Sequence, residues 1–421
     1  MSNLQRIPLS DGAYFNSVQD SRFKTMMIEV NLILPLNAET ASENALLAFV
    51  LSRSCKAYPT YRSLCKKLSS LYGAQLSTSL SKSGDRQILS ITLTGLDDRY
   101  ALDGESVTAQ LSELLCQVLF EPNVTNGSFS AAEVEQEKRQ LLDLIDSEYN
   151  EKRVYAIGQM VRTMCAGEVF AVRRYGTAED VKKQSPQGLF ETWQRVLKTA
   201  CVEIVYVGDS QPDEAVKVFR KAFSELAREP LTVSTAVKSK AGEVRRVSEE
   251  LDVSQAKLVM GFRGGRALPD SKVTASRLMA AVLGGTATSK LFCNVREKQS
   301  LCYYCAARYD IHKGIMVIDS GVETGNIEKL EAGIQKEIAD MQNGNITDFE
   351  LEATKMAVIN AYRSSRDTVR GIGAWTVNRI LDGELCSVDE MAEKINAVTK
   401  DEVVEAAKLL SLDTVYVLKS K

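Results

Sequence analysis

Arg296 and Tyr303 stand seven residues apart in the stretch 284–310, GGTATSKLFCNVREKQSLCYYCAARYD. A guanidinium held beside a phenol hydroxyl offers a donor pair suited to gripping a carbonyl oxygen or a carboxylate. The spacing predicts a helix over 289–298 that ends near Arg296, then a turn and a strand over 301–309 that carries Tyr303. Leu291, Phe292 and Val295 supply the inner side of that helix, and strand alternation puts Tyr303, Cys305, Ala307 and Tyr309 on one face. Local chemistry leaves a plainer reading open. An Arg suits a helix end because of the helix dipole, and a strand Tyr commonly serves packing.

Other chemistries are poorly supplied. The chain has one histidine in 421 residues, His312, in the polar turn 309–314, so a histidine-based zinc site or a Ser-His-Asp triad within the chain is excluded. Nine cysteines are scattered among apolar neighbours, which points to reduced core thiols rather than a disulfide frame. Cys302 and Cys305 form a CxxC, but residues three apart on a strand face opposite sides, which argues against a redox or zinc role. No Cys has a base beside it and no carboxylate pair stands out, so an autonomous hydrolase is disfavoured. Glu148 continues the apolar stripe Val134, Leu141, Ile145, and a carboxylate in that place calls for a partner or an edge position.

The elements that must position these residues fall into two similar halves. A strand over 24–34, with Met26, Ile28, Val30, Leu32 and Leu34 on one face, leads to a helix to about residue 54 whose Thr40 and Glu43 have capping-box spacing. A second helix from about residue 60, strands at 75–82 and 87–93, a helix over 105–120 and a long helix from 130 to beyond 155 follow. The first half closes with a strand over 201–207 and a helix over 212–226. Residues 229–250 lose periodicity and read as a linker. The pattern then restarts with a strand over 256–262, a helix over 272–283, the opening stretch, a strand over 314–320, helices over 327–343, 348–363, 391–397 and 400–410, and a strand over 414–418. LLAFVL at 46–51 matches LMAAVL at 278–283, and IVYV at 204–207 matches TVYV at 414–417. The prediction is an α+β fold of two homologous domains, 1–228 and 251–421, each a mainly antiparallel sheet with helices packed on one face.

Composition agrees with a globular protein: 44% hydrophobic and 25% charged residues are ordinary values, and 421 residues exceed one core. A net charge of −3 with mixed signs leaves no nucleic-acid footprint. The start lacks the apolar core of a signal peptide and no run reaches membrane-spanning length, so the expectation is a cytoplasmic protein without nucleic-acid or membrane partners.

With its duplicated halves, the Tyr175-Gly176-Thr177 loop and above all the run REKQSLCY from Arg296 to Tyr303, the chain resembles the insulinase/pitrilysin family of zinc peptidases. The resemblance is to the half-length form, a metallopeptidase-like α/β roll in duplicate. That form includes the mitochondrial processing peptidase subunits and paired bacterial homologues, some linked to elongation factor P modification. Catalytic members carry His-x-x-Glu-His, in which two His on one helical face bind zinc and the Glu activates water. Here Ala48, Leu51 and Ser52 occupy those positions, and Glu148 resembles the third ligand of the family, which cannot hold zinc alone. The resemblance implies a chain with no catalytic residues and no metal of its own. Arg296 and Tyr303 would be its substrate-binding pair, and its partner a zinc-bearing half-length homologue or a second copy of itself. It equally admits an inactive homologue serving as a scaffold or peptide-binding protein.

Overall fold

The computed structural model describes residues 4–421. Two compact units emerge, and neither is a continuous stretch of chain. The first comprises residues up to Ile145, Val172–Ser234 and Ser365–Leu385; the second comprises Asp146–Ala171, Thr235–Ser364 and Cys386–Lys421.

The first unit holds a six-stranded sheet in the order Leu4–Ser10, Ala13–Gln19, Cys201–Gly208, Thr25–Pro35, Arg86–Leu96, Gln75–Ser83. Every pairing is antiparallel except that of Ala13–Gln19 with Cys201–Gly208. The second unit repeats this plan with five strands, Arg245–Glu250, Ser411–Lys419, Ala256–Arg263, Ile315–Val322, Cys302–Asp310. Again one pairing is parallel, Arg245–Glu250 with Ser411–Lys419, and it occupies the matching place. The duplication inferred from the two hydrophobic helices and the two closing strands is therefore a duplication of topology. Helices Ala41–Leu51 and Val273–Gly284, the copies noted in the sequence, are both almost wholly buried.

Alternation explains which face each strand buries. Met26, Ile28, Val30, Leu32 and Leu34 enter the main core of the first unit together with Leu46, Leu47, Val50 and Leu51. Full burial of side chains of this kind contributes about 1.5–3 kcal/mol each. The opposite face is not left to solvent. Met27, Val205 and Val207 pack against Val369, Ile372 and Val377 of the helix Val369–Leu381. In the second unit Val259, Tyr416 and Leu418 pack against Ala156, Met160 and Met164 of the helix Lys152–Met164. Each sheet thus takes one covering helix from the other half of the sequence.

Several expectations are corrected. The long helix expected to run beyond residue 155 ends at Asn150, and Glu151 caps a new helix, Lys152–Met164, through Arg153 N–H. The helix Val369–Leu381 has no counterpart in the sequence reading, because Gly371 and Gly373 lower its helical signal. Gly373 lies against the Met27 methyl, which would have to shift to admit a Cβ standing 2.1 Å from it. The stretch 229–250 is not wholly irregular; Arg245–Glu250 is a strand of the second sheet. Thr40 makes no side-chain cap bond, and Glu43 instead pairs with Arg195 at 2.9 Å.

Candidate functional site

Arg296 lies on a π-helix, Leu291–Lys298, a wide-turned form that is rare and frequent at functional sites. Leu291 and Val295 are fully buried and anchor it from one side, as their spacing predicted. Asn294 Nδ2 donates to Glu337 at 2.8 Å, and Lys290 pairs with Glu350 at 3.0 Å, which ties the helix to the two long helices behind it. Its end closes through Gln299 N–H to the Asn294 carbonyl at 3.2 Å, five residues back, and Ser300 turns left-handed at φ +50°. A non-glycine residue in that conformation is strained. The chain then enters the edge strand Cys302–Asp310.

That strand does not alternate as expected. Cys302 stands opposite Val322, Tyr304 opposite Gly321 and Cys305 opposite Ser320, so Tyr303 is the extra residue of a β-bulge. Tyr303 consequently leaves the face shared by Cys305 and Ala307 and projects outward, 57% exposed. Its hydroxyl donates to Glu323 just past the neighbouring strand, and this carboxylate holds the phenol pKa above its ordinary value. Arg296 is half-exposed, lies over the Phe292 ring with 4.6 Å from guanidinium carbon to ring centre, and pairs with Glu297 at 3.5 Å. No hydrogen bond joins Arg296 to Tyr303 among the described residues. The two side chains sit on consecutive elements, each with its own carboxylate. Glu323 was not singled out in the sequence, although a hairpin about the turn 311–314 brings it to the level of residues 302 and 303.

The zinc-motif positions have a different character. Ala48 and Leu51 are buried at 0% and 1% exposure inside the main core of the first unit. The Ser52 hydroxyl is engaged with the carbonyls of Ala48 and Phe49 and, at 2.7 Å, with Thr78 on the edge strand Gln75–Ser83. Two of the three residues have no ligating atom and the third is occupied, so this set does not fit zinc. Among the described residues no group of three or more His, Cys, Asp or Glu side chains gathers where it could hold a metal ion. The carboxylate placed against this helix end is Glu137, 2% exposed, which pairs with Arg53 at 3.2 Å. Burial holds its carboxyl above the usual range against the pull of Arg53. Glu148 lies three turns further along the same helix, in the segment that belongs to the second unit.

The Tyr175-Gly176-Thr177 loop closes over the start of the Ala41–Leu51 helix. Thr177 N–H donates to the Ser42 hydroxyl at 3.2 Å, and Gly176 takes φ +68°. A Cβ at Gly176 would fall 1.9 Å from Ser42 Oγ, so both the backbone conformation and the close approach require glycine.

With this geometry in view, the comparisons with known proteins have a structural meaning. The profile of the Peptidase M16 inactive domain matches residues 185–358. The chain is 28% identical over 402 residues to the "probable inactive metalloprotease YmfF" of Bacillus subtilis (strain 168), covering 96% of this chain and 94% of that one. By these matches the chain is similar to M16 peptidase homologues of the inactive kind. A crystal structure of a conserved protein from Enterococcus faecalis V583 superposes with a TM-score of 0.91 at 26% identity, covering 100% of this chain and 99% of that one. The M16 inactive-domain structure from Pseudomonas fluorescens has a TM-score of 0.80 at 16% identity over 100% and 98% of the two chains, which supports the fold alone. Similarity to proteins described as inactive accords with the buried, non-ligating side chains of Ala48 and Leu51.

Proposed function

We propose that this chain is the non-catalytic, substrate-binding subunit of a heterodimeric zinc peptidase, presenting Arg296 and Tyr303 to a peptide held at the zinc of a half-length partner. The observation that carries the reading is the outward phenol of Tyr303 on a bulged edge strand, following a π-helix that ends near Arg296. A strained backbone and exposed polar groups do not contribute to packing, and donors aimed at a developing oxyanion are a recognised use for them. In this role the two side chains would exchange Glu323 and Glu297 for the peptide backbone near its scissile carbonyl. Zinc and the base that activates water would belong to the partner. Nine free thiols support a reducing, cytoplasmic setting.

The test is reconstitution with a zinc-bearing half-length homologue. Arg296→Ala and Tyr303→Phe are each expected to slow peptide cleavage by about 100-fold, the effect typical of losing one oxyanion donor. Cleavage unchanged in both variants would sink the assignment. One observation favours a second reading, an inactive scaffold or peptide-binding protein: Arg296 and Tyr303 already have partners within the chain and do not bond to each other. Under that reading the purified chain binds peptides with the same affinity in the presence and absence of the zinc-bearing homologue, and no mixture cleaves them.

A further inference from the structure

The bulge at Tyr303 has a second effect, on the CxxC. A regular strand would send Cys302 and Cys305 to opposite faces. With Tyr303 as the extra residue, their cross-strand neighbours are Val322 and Ser320, two residues apart on a regular strand. The two cysteines therefore lie on one face with Cα atoms about 6.5 Å apart. That is within the span a disulfide bridges, near its upper limit. Both side chains turn to the covered face, at 9% and 7% exposure. Each thiol shifts the titration of the other, as neighbours on one face do.

The pair is asymmetric. Interaction with the neighbouring Cys305 thiol, with the nearby Arg296 charge, outweighs burial to bring the Cys302 thiol below its ordinary pKa. The same interaction, with burial, holds Cys305 well above its ordinary value. One thiol is thus prepared to attack and the other to resolve. The strand is an edge strand paired on one side only, entered through the left-handed Ser300.

We propose that Cys302 and Cys305 form a reversible dithiol–disulfide site that exchanges with low-molecular-weight disulfides of the glutathione class. Cys302 as thiolate attacks one sulfur of the small disulfide; a Cys302–glutathione bond forms, the small S–S bond breaks and one glutathione thiolate leaves. Cys305 gives its proton to that thiolate and attacks the Cys302 sulfur, forming the Cys302–Cys305 bond and expelling the second glutathione thiolate, which takes up the proton Cys302 had released. Two protein thiols are oxidised and one small disulfide is reduced to two thiols. Tyr303 lies inside the closed loop, so its bond to Glu323 is the contact most directly altered. The site does not depend on the role of the chain in peptide binding.

The experiment equilibrates the full-length protein in glutathione buffers of increasing oxidised fraction, quenches in acid, alkylates, and maps peptides by mass spectrometry. Cys302 and Cys305 are expected to lose alkylation together and to appear as one intramolecular disulfide peptide, restored by excess reduced glutathione. Cys305→Ser should trap Cys302 as a mixed disulfide with glutathione, while Cys302→Ser should leave Cys305 alkylated. Full alkylation of both residues under buffers that already glutathionylate the more open Cys293 would overturn the proposal. So would a wild-type Cys302 that stops at the mixed disulfide.

Discussion

Helix Ala41–Leu51 beside edge strand Gln75–Ser83, and helix Val273–Gly284 beside edge strand Cys302–Asp310, occupy the same places in two copies of one topology. The first copy carries Ala48, Leu51 and Ser52, which the family resemblance aligns with a zinc motif, and it is plain core. Ala48 and Leu51 touch no solvent to speak of, and the Ser52 hydroxyl is returned to its own helix and to Thr78. The second copy keeps features that packing does not explain: a π-helix, the left-handed Ser300, a bulge, an exposed phenol and a thiol pair. Loss of ligands leaves a site that close packing readily fills. Strain kept where no packing benefit is visible marks the region in which a remaining function is to be sought.

The contrast is open to attack from either side, and the largest effect is expected at the first site. Placing His at 48, Glu at 51 and His at 52 by Ala48→His, Leu51→Glu and Ser52→His should cost on the order of 4 kcal/mol or more, since two bulky groups and a carboxylate enter a filled core. Urea denaturation with and without zinc measures this. A triple variant as stable as the parent would show that the locus still has room for ligands and would break the comparison. Leu51→Ala alone should cost about 2–4 kcal/mol through the cavity it leaves. A loss below about 1 kcal/mol in the same denaturation would mean that the helix end is loosely packed.

In the second copy, Glu350 anchors the start of the π-helix through Lys290. Burial would raise its pKa, but the Thr347 N–H and Lys290 outweigh burial and hold it below the ordinary carboxylate value. A depressed carboxylate contributes stability that is present above its unfolded pKa and lost as pH falls through the folded one. Glu350→Gln should therefore cost about 1–2 kcal/mol at neutral pH. The difference from wild type should shrink in acid, below that unfolded value. Equal losses at both ends of the pH range would remove the ion pair as the cause. The smallest effect belongs to the proposed binding pair: Arg296→Ala and Tyr303→Phe should each move stability by about 0.5 kcal/mol or less, as surface changes do. A loss of several times that size would turn the pair into structural residues and erase the difference between the two copies.

Much of the architecture was readable because it is local. The Met26–Leu34 alternation, the LLAFVL and LMAAVL helices and the two closing strands record periodicity, and periodicity is a property of neighbours in sequence. The absence of histidine from 40–60 is likewise a matter of residue type, and no fold could supply the missing ligands. Other features depend on what a segment meets. The helix Val369–Leu381 reads poorly by composition and is held by the packing of Val369, Ile372 and Val377 on Met27, Val205 and Val207. Glu137, not signalled by any motif, is placed by the packing of its helix against the end of Ala41–Leu51.

The sequence by itself determined that the chain repeats one α+β plan twice, that no histidine lies near the helix carrying Ala48, Leu51 and Ser52, and that Arg296, Cys302, Tyr303 and Cys305 fall within ten residues of one another. Only the tertiary structure decided which way those four point. A strand has a period of two, so one inserted residue reverses every side chain beyond it, and whether a residue is inserted is settled by the partner strand. Opposite Val322 and Gly321 the chain takes up the slack at Tyr303, which sends the phenol outward and brings the two thiols to the same face.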